Sequence, residues 1–155
     1  MTEKLVIYDS VFGNTATVAE AIGEALGDTP VKKVSDVSPE DLRDLKILFV
    51  GSPTRAFRPT PAITNFLKNL DSTALTGVNA AAFDTRIPIE QADSGFLRFM
   101  IKLFGYADKK IEKGLTKAGA DIALESQGFA VEGTEGPLSE NELVRAKEWA
   151  SEILS

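Results

Sequence analysis

Ser10, Asn14 and Thr15, grouped around Gly13, are the residues of this sequence best suited to act together at a single point. Two hydroxyls and an amide on a short turn can donate hydrogen bonds without carrying charge, and a glycine lets backbone N–H groups approach a ligand closely. The turn follows an apolar run, Leu5-Val-Ile-Tyr8. It precedes a stretch in which Val18, Ile22 and Leu26 recur at helical spacing, with Ala19 and Ala25 beside them. A strand that turns straight into a helix aims unpaired N–H groups and the positive end of the helix dipole at one spot. That spot suits a phosphate. The turn has no lysine and lacks the G-x-x-x-x-G-K-S/T spacing, which argues against a nucleoside-triphosphate site.

The remaining chemistry is bounded by what the 155 residues omit. There is no cysteine and no histidine. Disulfides, zinc–thiolate sites, iron–sulfur ligation and cysteine nucleophiles are excluded, as are the commonest metal ligand and the usual general base at neutral pH. Redox or group-transfer chemistry here must belong to a bound cofactor. The formal net charge of -6 argues against non-specific nucleic-acid binding and favours basic protein partners. No apolar run is long enough to span a bilayer, and Met1-Thr-Glu-Lys lacks a signal-peptide pattern, so the cytoplasm is the expected compartment. At 43% hydrophobic and 26% charged residues, the length suits one domain over residues 1–155.

The elements that must position the turn alternate. Val31 to Val34 reads as a short edge strand. The segment from Asp36 to Asp44 reads as a loop with a helical turn at Pro39. Lys46-Ile-Leu-Phe-Val-Gly51 is a second buried strand that leaves through Ser52-Pro-Thr-Arg-Ala-Phe-Arg-Pro-Thr60. A helix follows from Pro61, with Ile63, Phe66, Leu67 and Leu70 on one face. Gly77 to Phe83 reads as a third strand, with Asp84-Thr-Arg-Ile-Pro88 as its exit loop. Ala107 to Ala118 reads as a helix closed by Gly119. A last strand comprises Ile122 to Leu124 and Gln127 to Val131, broken at Glu125-Ser126. The final helix carries a capping-box pattern, Ser139-Glu-Asn-Glu142, and continues through Leu143, Ala146, Ala150 and Ile153. Strands apolar on both faces and separated by helices indicate a parallel sheet covered on each side. Ligands of such folds sit at the carboxyl ends of the strands, so the three exit loops are expected to converge.

These residues resemble a known family. Leu5-Val-Ile-Tyr-Asp-Ser-Val-Phe-Gly-Asn-Thr15 is similar to the loop with which flavodoxins hold the FMN phosphate. Gly51-Ser-Pro-Thr54 resembles their second flavin loop, and Asp84-Thr-Arg86 falls where the third belongs. The tail, Gly128-Phe-Ala-Val-Glu-Gly-Thr-Glu-Gly-Pro-Leu138 plus a helix, resembles single-domain members. The resemblance implies an α/β fold, a three-layer α/β/α sandwich on a five-stranded parallel sheet of order 2-1-3-4-5, non-covalent FMN, and electron transfer. It implies cofactor contacts from Ser10, Val11, Phe12, Gly13, Asn14 and Thr15 in the first loop. In the second they come from Ser52, Pro53, Thr54, Arg55, Ala56 and Phe57, and in the third from Asp84, Thr85 and Arg86. The redox partners implied are a reductase or ferredoxin-type donor and an unidentified acceptor.

The sequence departs from the family pattern in ways with physical consequences. Phe12 stands where a hydroxyl residue is common, which removes one donor. Phe57 is the aromatic residue of the second loop available to stack on the ring, a contact of about 1 kcal/mol beyond area burial, or else to cover the helix from Pro61. Flavodoxins place a glycine in this loop so that a peptide can flip toward reduced flavin, and Ser52 to Pro61 contains none. A flip needing positive φ would cost Ala56 or Phe57 roughly 1–2 kcal/mol more than glycine. Arg55, Arg58 and Arg86 lie in or beside the flavin loops. Unless they pair with Asp84 and Glu90, they would stabilise an anionic reduced flavin and make its potential less negative.

Two functions rival the carrier. One is an NAD(P)H- or quinone-dependent FMN oxidoreductase, and the other a flavodoxin-like binding module that has lost flavin. One stretch stands apart, Phe96-Leu-Arg-Phe-Met-Ile-Lys-Leu-Phe104, whose apolar residues wrap most of a helix instead of one stripe. It either adds core at the sheet edge or exposes an apolar contact to a partner subunit, a quinone or a membrane surface. Glu132 to Glu135 reads as a surface loop.

Overall fold

The computed structural model describes residues 3–92 and 94–155; Met1 and Thr2, at the expected signal-free N-terminus, lie outside them. Strand β1 (Lys4–Tyr8) is an inner strand, pairing in parallel with β2 (Val31–Lys33) on one side and β3 (Ile47–Pro53) on the other. Strand β4 (Asn79–Arg86) pairs with β3, and the sheet order is β2-β1-β3-β4-β5. The last strand position is filled in two pieces. β5 (Asp121–Ile122) pairs with the start of β4, and β6 (Gln127–Ala130) pairs with its end. The gap covers residues 123–126, so it contains the predicted Glu125-Ser126 break but begins two residues earlier.

Alternation along the strands sorts the core into two layers. Leu5, Ile7, Leu48, Val50, Ala80 and Ala82 face helices α2 (Pro61–Lys68) and α4 (Ala107–Lys117), packing on Ile63, Leu67, Ile111 and Leu115. Val6, Phe49, Ala81 and Phe83 face α1 (Asn14–Ala25) and α5 (Glu142–Ser151), packing on Val18, Ile22, Ala146 and Trp149. Trp149 sits edge-on to Phe49, Phe83 and Phe129 at 5.2, 6.4 and 5.9 Å between ring centroids. This aromatic cluster locks the layer. Gly51 is required there, because a Cβ would lie 2.1 Å from the Phe83 ring.

Two local readings are corrected. Asp84, Thr85 and Arg86 are not an exit loop: they continue β4, held by the ladder to β6. The capping box of α5 does not form. The helix starts at Glu142 behind Asn141, which has φ 70°, and the buried Ser139 hydroxyl has no hydrogen-bond partner among the described residues. Glu142 is used elsewhere. Its carboxylate accepts the Ala130 N–H at 2.6 Å and a two-point pair from Arg145, so α5 is tied to β6 instead.

The apolar stretch is helix α3 (Gly95–Phe104), capped by the Ser94 hydroxyl, which accepts the Leu97 N–H. Ile101 is buried, whereas Phe96, Phe99 and Leu103 are 72%, 59% and 62% exposed. The stretch is not extra core. Among the described residues, no helix is long and apolar enough to cross a membrane.

Candidate functional site

Three strand ends deliver three chain segments to one cleft of about 320 Å3. Ser10, Val11, Phe12, Asn14 and Thr15 line it from the first loop, and Pro53, Thr54, Arg55 and Ala56 from the second. Thr85, Arg86 and Ile87 line it from the end of β4. Hydrogen bonds tie the segments together. The Thr15 and Thr85 hydroxyls meet at 2.8 Å, and the Thr54 N–H donates to the Thr85 carbonyl at 2.9 Å.

The first loop is built around α1. Gly13 caps it at φ 95°, a conformation that suits glycine, and a Cβ there would meet nothing within 4 Å. The Ser10 hydroxyl accepts N–H groups from Gly13 and Ala16 at 3.1 and 3.3 Å, folding the loop over the helix start. Intrahelical bonding cannot satisfy the first N–H groups of a helix, so this neutral, donor-rich turn fits a phosphate without a lysine. Gly13 shapes the loop without lining the cleft.

The second loop differs from expectation. Ser52 is fully buried. Its hydroxyl accepts the Thr60 N–H at 2.9 Å and donates to the Pro53 carbonyl, so it braces the loop and does not reach the cleft. The Thr54 hydroxyl accepts the Ala107 N–H at 3.0 Å, linking the cleft to the start of α4. Arg55 and Arg58 exchange backbone hydrogen bonds at 2.8 and 3.1 Å across a two-residue turn. Its central residues, Ala56 and Phe57, have φ of 49° and 69°. Both non-glycine residues thus already occupy the left-handed region that a flip was expected to impose as a cost. The Phe57 ring turns away from the cleft to pack on Phe104, 5.7 Å between centroids. Phe57 is not among the residues that line the cleft. Phe12 is the aromatic residue on the cleft, and the Arg55 guanidinium lies 5.6 Å from its ring centre.

The third segment holds a buried polar network. Asp84, fully buried, accepts two hydrogen bonds of 2.7 Å from Arg86 and one of 2.9 Å from the Asp108 N–H. Arg86 also contacts Asp108 at 3.2 Å, and Asp108 accepts the Ser126 hydroxyl at 2.8 Å. The guanidinium stacks 3.8 Å from the centre of the Tyr106 ring. Burial pushes the Asp84 carboxyl up to about 6, with the Arg86 hydrogen bonds and charge opposing it. Burial also disfavours the Arg86 charge, yet its bonds to Asp84 and the two carboxylate charges hold its pKa above the ordinary value. Arg86 is therefore not a free cation: one guanidinium faces two carboxylates. Asp84 stands behind the cleft and positions Arg86 there.

The segment around Glu132 to Glu135, expected to be a surface loop apart from the site, is a fourth segment of the cleft. Val131 and Thr134 line the cleft, and the Asn14 side-chain amide donates to the Glu135 carbonyl at 3.1 Å. At Gly136, φ is 102° and a Cβ would lie 2.6 Å from the Asn14 side chain, so glycine is required for this close approach. The signal was present in Gly133 and Gly136 of the 128–138 tail.

The sequence profile described as Flavodoxin matches residues 6–149, and the chain belongs to the flavodoxin family. FMN is the family's cofactor and the cofactor of this chain, and the donor-rich helix start is an arrangement suited to its phosphate. Among solved structures, the fold is similar to oxidised Flavodoxin 2 from Bacillus cereus, with TM-score 0.74 and 19% identity over 99% of this chain and 98% of that one. It is also similar to a flavodoxin from the domain Archaea, with TM-score 0.70 and 20% identity over 97% and 94% of the two chains. The same fold recurs within rubredoxin oxygen:oxidoreductase of the anaerobe Desulfovibrio gigas. That match has TM-score 0.69 and 20% identity, spanning 98% of this chain and 35% of that one. The protein is an FMN-binding electron-transfer flavoprotein.

Proposed function

We propose that this chain is a single FMN domain, residues 1–155, that shuttles electrons between two redox partners and has no catalytic side chain of its own. The observation that carries the reading is the meeting of the α1 helix start with the ends of β3 and β4 in one cleft. Ser10, Gly13, Asn14, Thr15 and the first-turn N–H groups of α1 hold the phosphate. Thr54 and Thr85 supply polar contacts deeper in the cleft, and Val11, Phe12, Arg55 and Ala56 cover its outer side. Pro53 and Arg86 shape its wall, while Ser52, Phe57 and Asp84 act behind that surface. Bound FMN supplies one- and two-electron redox chemistry. The protein binds the flavin, shields part of it from water and leaves an edge open to partners.

An absorption spectrum during titration with FMN tests the reading. Saturable, stoichiometric binding with a perturbed flavin spectrum is expected. Protein that stays colourless after incubation with FMN and gel filtration would instead be a binding module without flavin. Turnover of NAD(P)H with a quinone, in the absence of any partner protein, would reassign the chain as a two-electron oxidoreductase.

A further inference from the structure

Helix α3 carries three rows of residues with different destinations. Leu97, Met100 and Ile101 turn inward, with Ile101 buried and the other two half-buried. Phe96, Phe99 and Leu103, spaced i, i+3 and i+7, form an outward apolar row, all well over half exposed. Arg98 and Lys102, spaced i and i+4, form a third row beside it, and both are exposed. The helix contains no acidic residue, in a chain whose net charge is -6. At its C-terminal end Phe104 is 49% exposed and packs on Phe57, while the Lys110 ammonium bridges the Phe57 and Phe104 carbonyls at 2.7 and 2.8 Å.

We propose that the outward face of α3 is a docking surface for an anionic lipid bilayer. A short helix with an apolar row beside a basic one lies in the membrane interface, its aromatic side chains among the acyl chains and its cations against acidic headgroups. The charge pattern selects this occupant. Two copies of the chain meeting through α3 in antiparallel orientation would set Arg98 and Lys102 of each against those of the other, an arrangement that repels. Phe96, Phe99 and Leu103 are all well over half exposed, and a fluid bilayer takes up such side chains without needing a matching pocket. The face adjoins the cleft. Phe57, packed under Phe104, follows Arg55 and Ala56, which line it. Docking would thus bring the mouth of the cleft close to the membrane plane. The surface does not depend on the flavin.

Co-sedimentation of the full chain with vesicles tests this, using pure phosphatidylcholine against equimolar phosphatidylcholine and phosphatidylglycerol. Binding to the anionic vesicles is expected to be about tenfold or more tighter than to neutral ones and to weaken as salt is raised. The F96S/F99S double variant should lose about tenfold or more in partitioning, and Lys102→Glu about fivefold. Both variants are at exposed positions, and an unchanged near-UV signal from the Trp149 cluster verifies that they fold. No binding to anionic vesicles at low salt overturns the proposal and leaves the face to a protein partner. Binding that survives F96S/F99S overturns it too. So does a dimer in sedimentation equilibrium that F96S/F99S abolishes while lipid is ignored, which would assign the face to a second copy.

Discussion

Asp84 and Arg86 are two residues apart on one strand, so both side chains leave the same face and meet as a two-point pair beneath the cleft. Removing the cation while leaving the buried carboxylate is the costly half of such a pair. Arg86→Met should destabilise the protein by about 3 kcal/mol at pH 7 in urea unfolding. Acid should reduce that loss. The folded Asp84 carboxyl titrates at about 6 against an ordinary 3.8, so the folded state holds this proton more tightly than the unfolded state does. Its stabilising contribution is complete below 3.8 and is lost as pH rises through 6. Without Arg86 the carboxyl moves higher still, so the variant should regain stability on acidification from a higher starting pH; a loss independent of pH would contradict this. At the other side of the cleft, Thr15→Val removes the hydroxyl bonded to Thr85 and with it one proposed donor to the phosphate. FMN affinity should fall about tenfold or more, read by flavin titration, with little change if Thr15 serves only the loop. The turn of the first loop was legible because Ser10 and Gly13 stand where a buried strand gives way to a helix. The pairing of Asp84 with Arg86 was only partly so, because it requires β4 to run on to Arg86. Polar residues at a strand end look like a loop until the ladder to Gly128 and Ala130 is seen.

The second loop shows what an element can conceal from its sequence. Mirror-image two-residue turns favour Asn-Gly, and this one is made of Ala56 and Phe57. Two left-handed non-glycine residues cost of order 1–2 kcal/mol each, and they persist where surroundings over-determine them. Here the surroundings are the Phe57–Phe104 contact and the Lys110 ammonium on the Phe57 carbonyl. Ala56→Asn, which tolerates positive φ, should raise stability by about 0.5–1 kcal/mol in denaturant unfolding without disturbing the turn. A loss of stability would mean that the turn is not strained. The helix starts divide in the same way. Pro61 behind Thr60 was readable, since the Thr60 hydroxyl does accept the Ile63 N–H. The Ser139–Glu142 pattern misled because Glu142 finds stronger, charge-assisted partners in Arg145 and the edge of β6. Local motifs yield when tertiary contacts make a better offer.

For the whole molecule, the layering follows from the alternation of strands and helices, the strand order is what the family resemblance implies, and the interruption of the last strand could be read from its polar step. The closing of the 131–136 segment over the first loop could not, because it rests on one close approach between Gly136 and Asn14. FMN would join the first three of the four segments around the cleft, and a ligand that binds only the folded chain raises its stability. At a hundredfold excess over Kd this amounts to about 2.7 kcal/mol, or about 5–10 °C in Tm for a chain of this size. Riboflavin lacks the phosphate that the α1 start is proposed to hold, so at the same concentration it should shift Tm far less; equal shifts would remove that loop from the site. The two borders of the sheet have a further consequence. On one side β2 is three residues long and carries Lys32 and Lys33, and on the other the ladder is interrupted between β5 and β6. Short, charged or broken borders offer another chain little to hydrogen-bond. A protein built this way can be crowded to high concentration without its sheets adding edge to edge into aggregates.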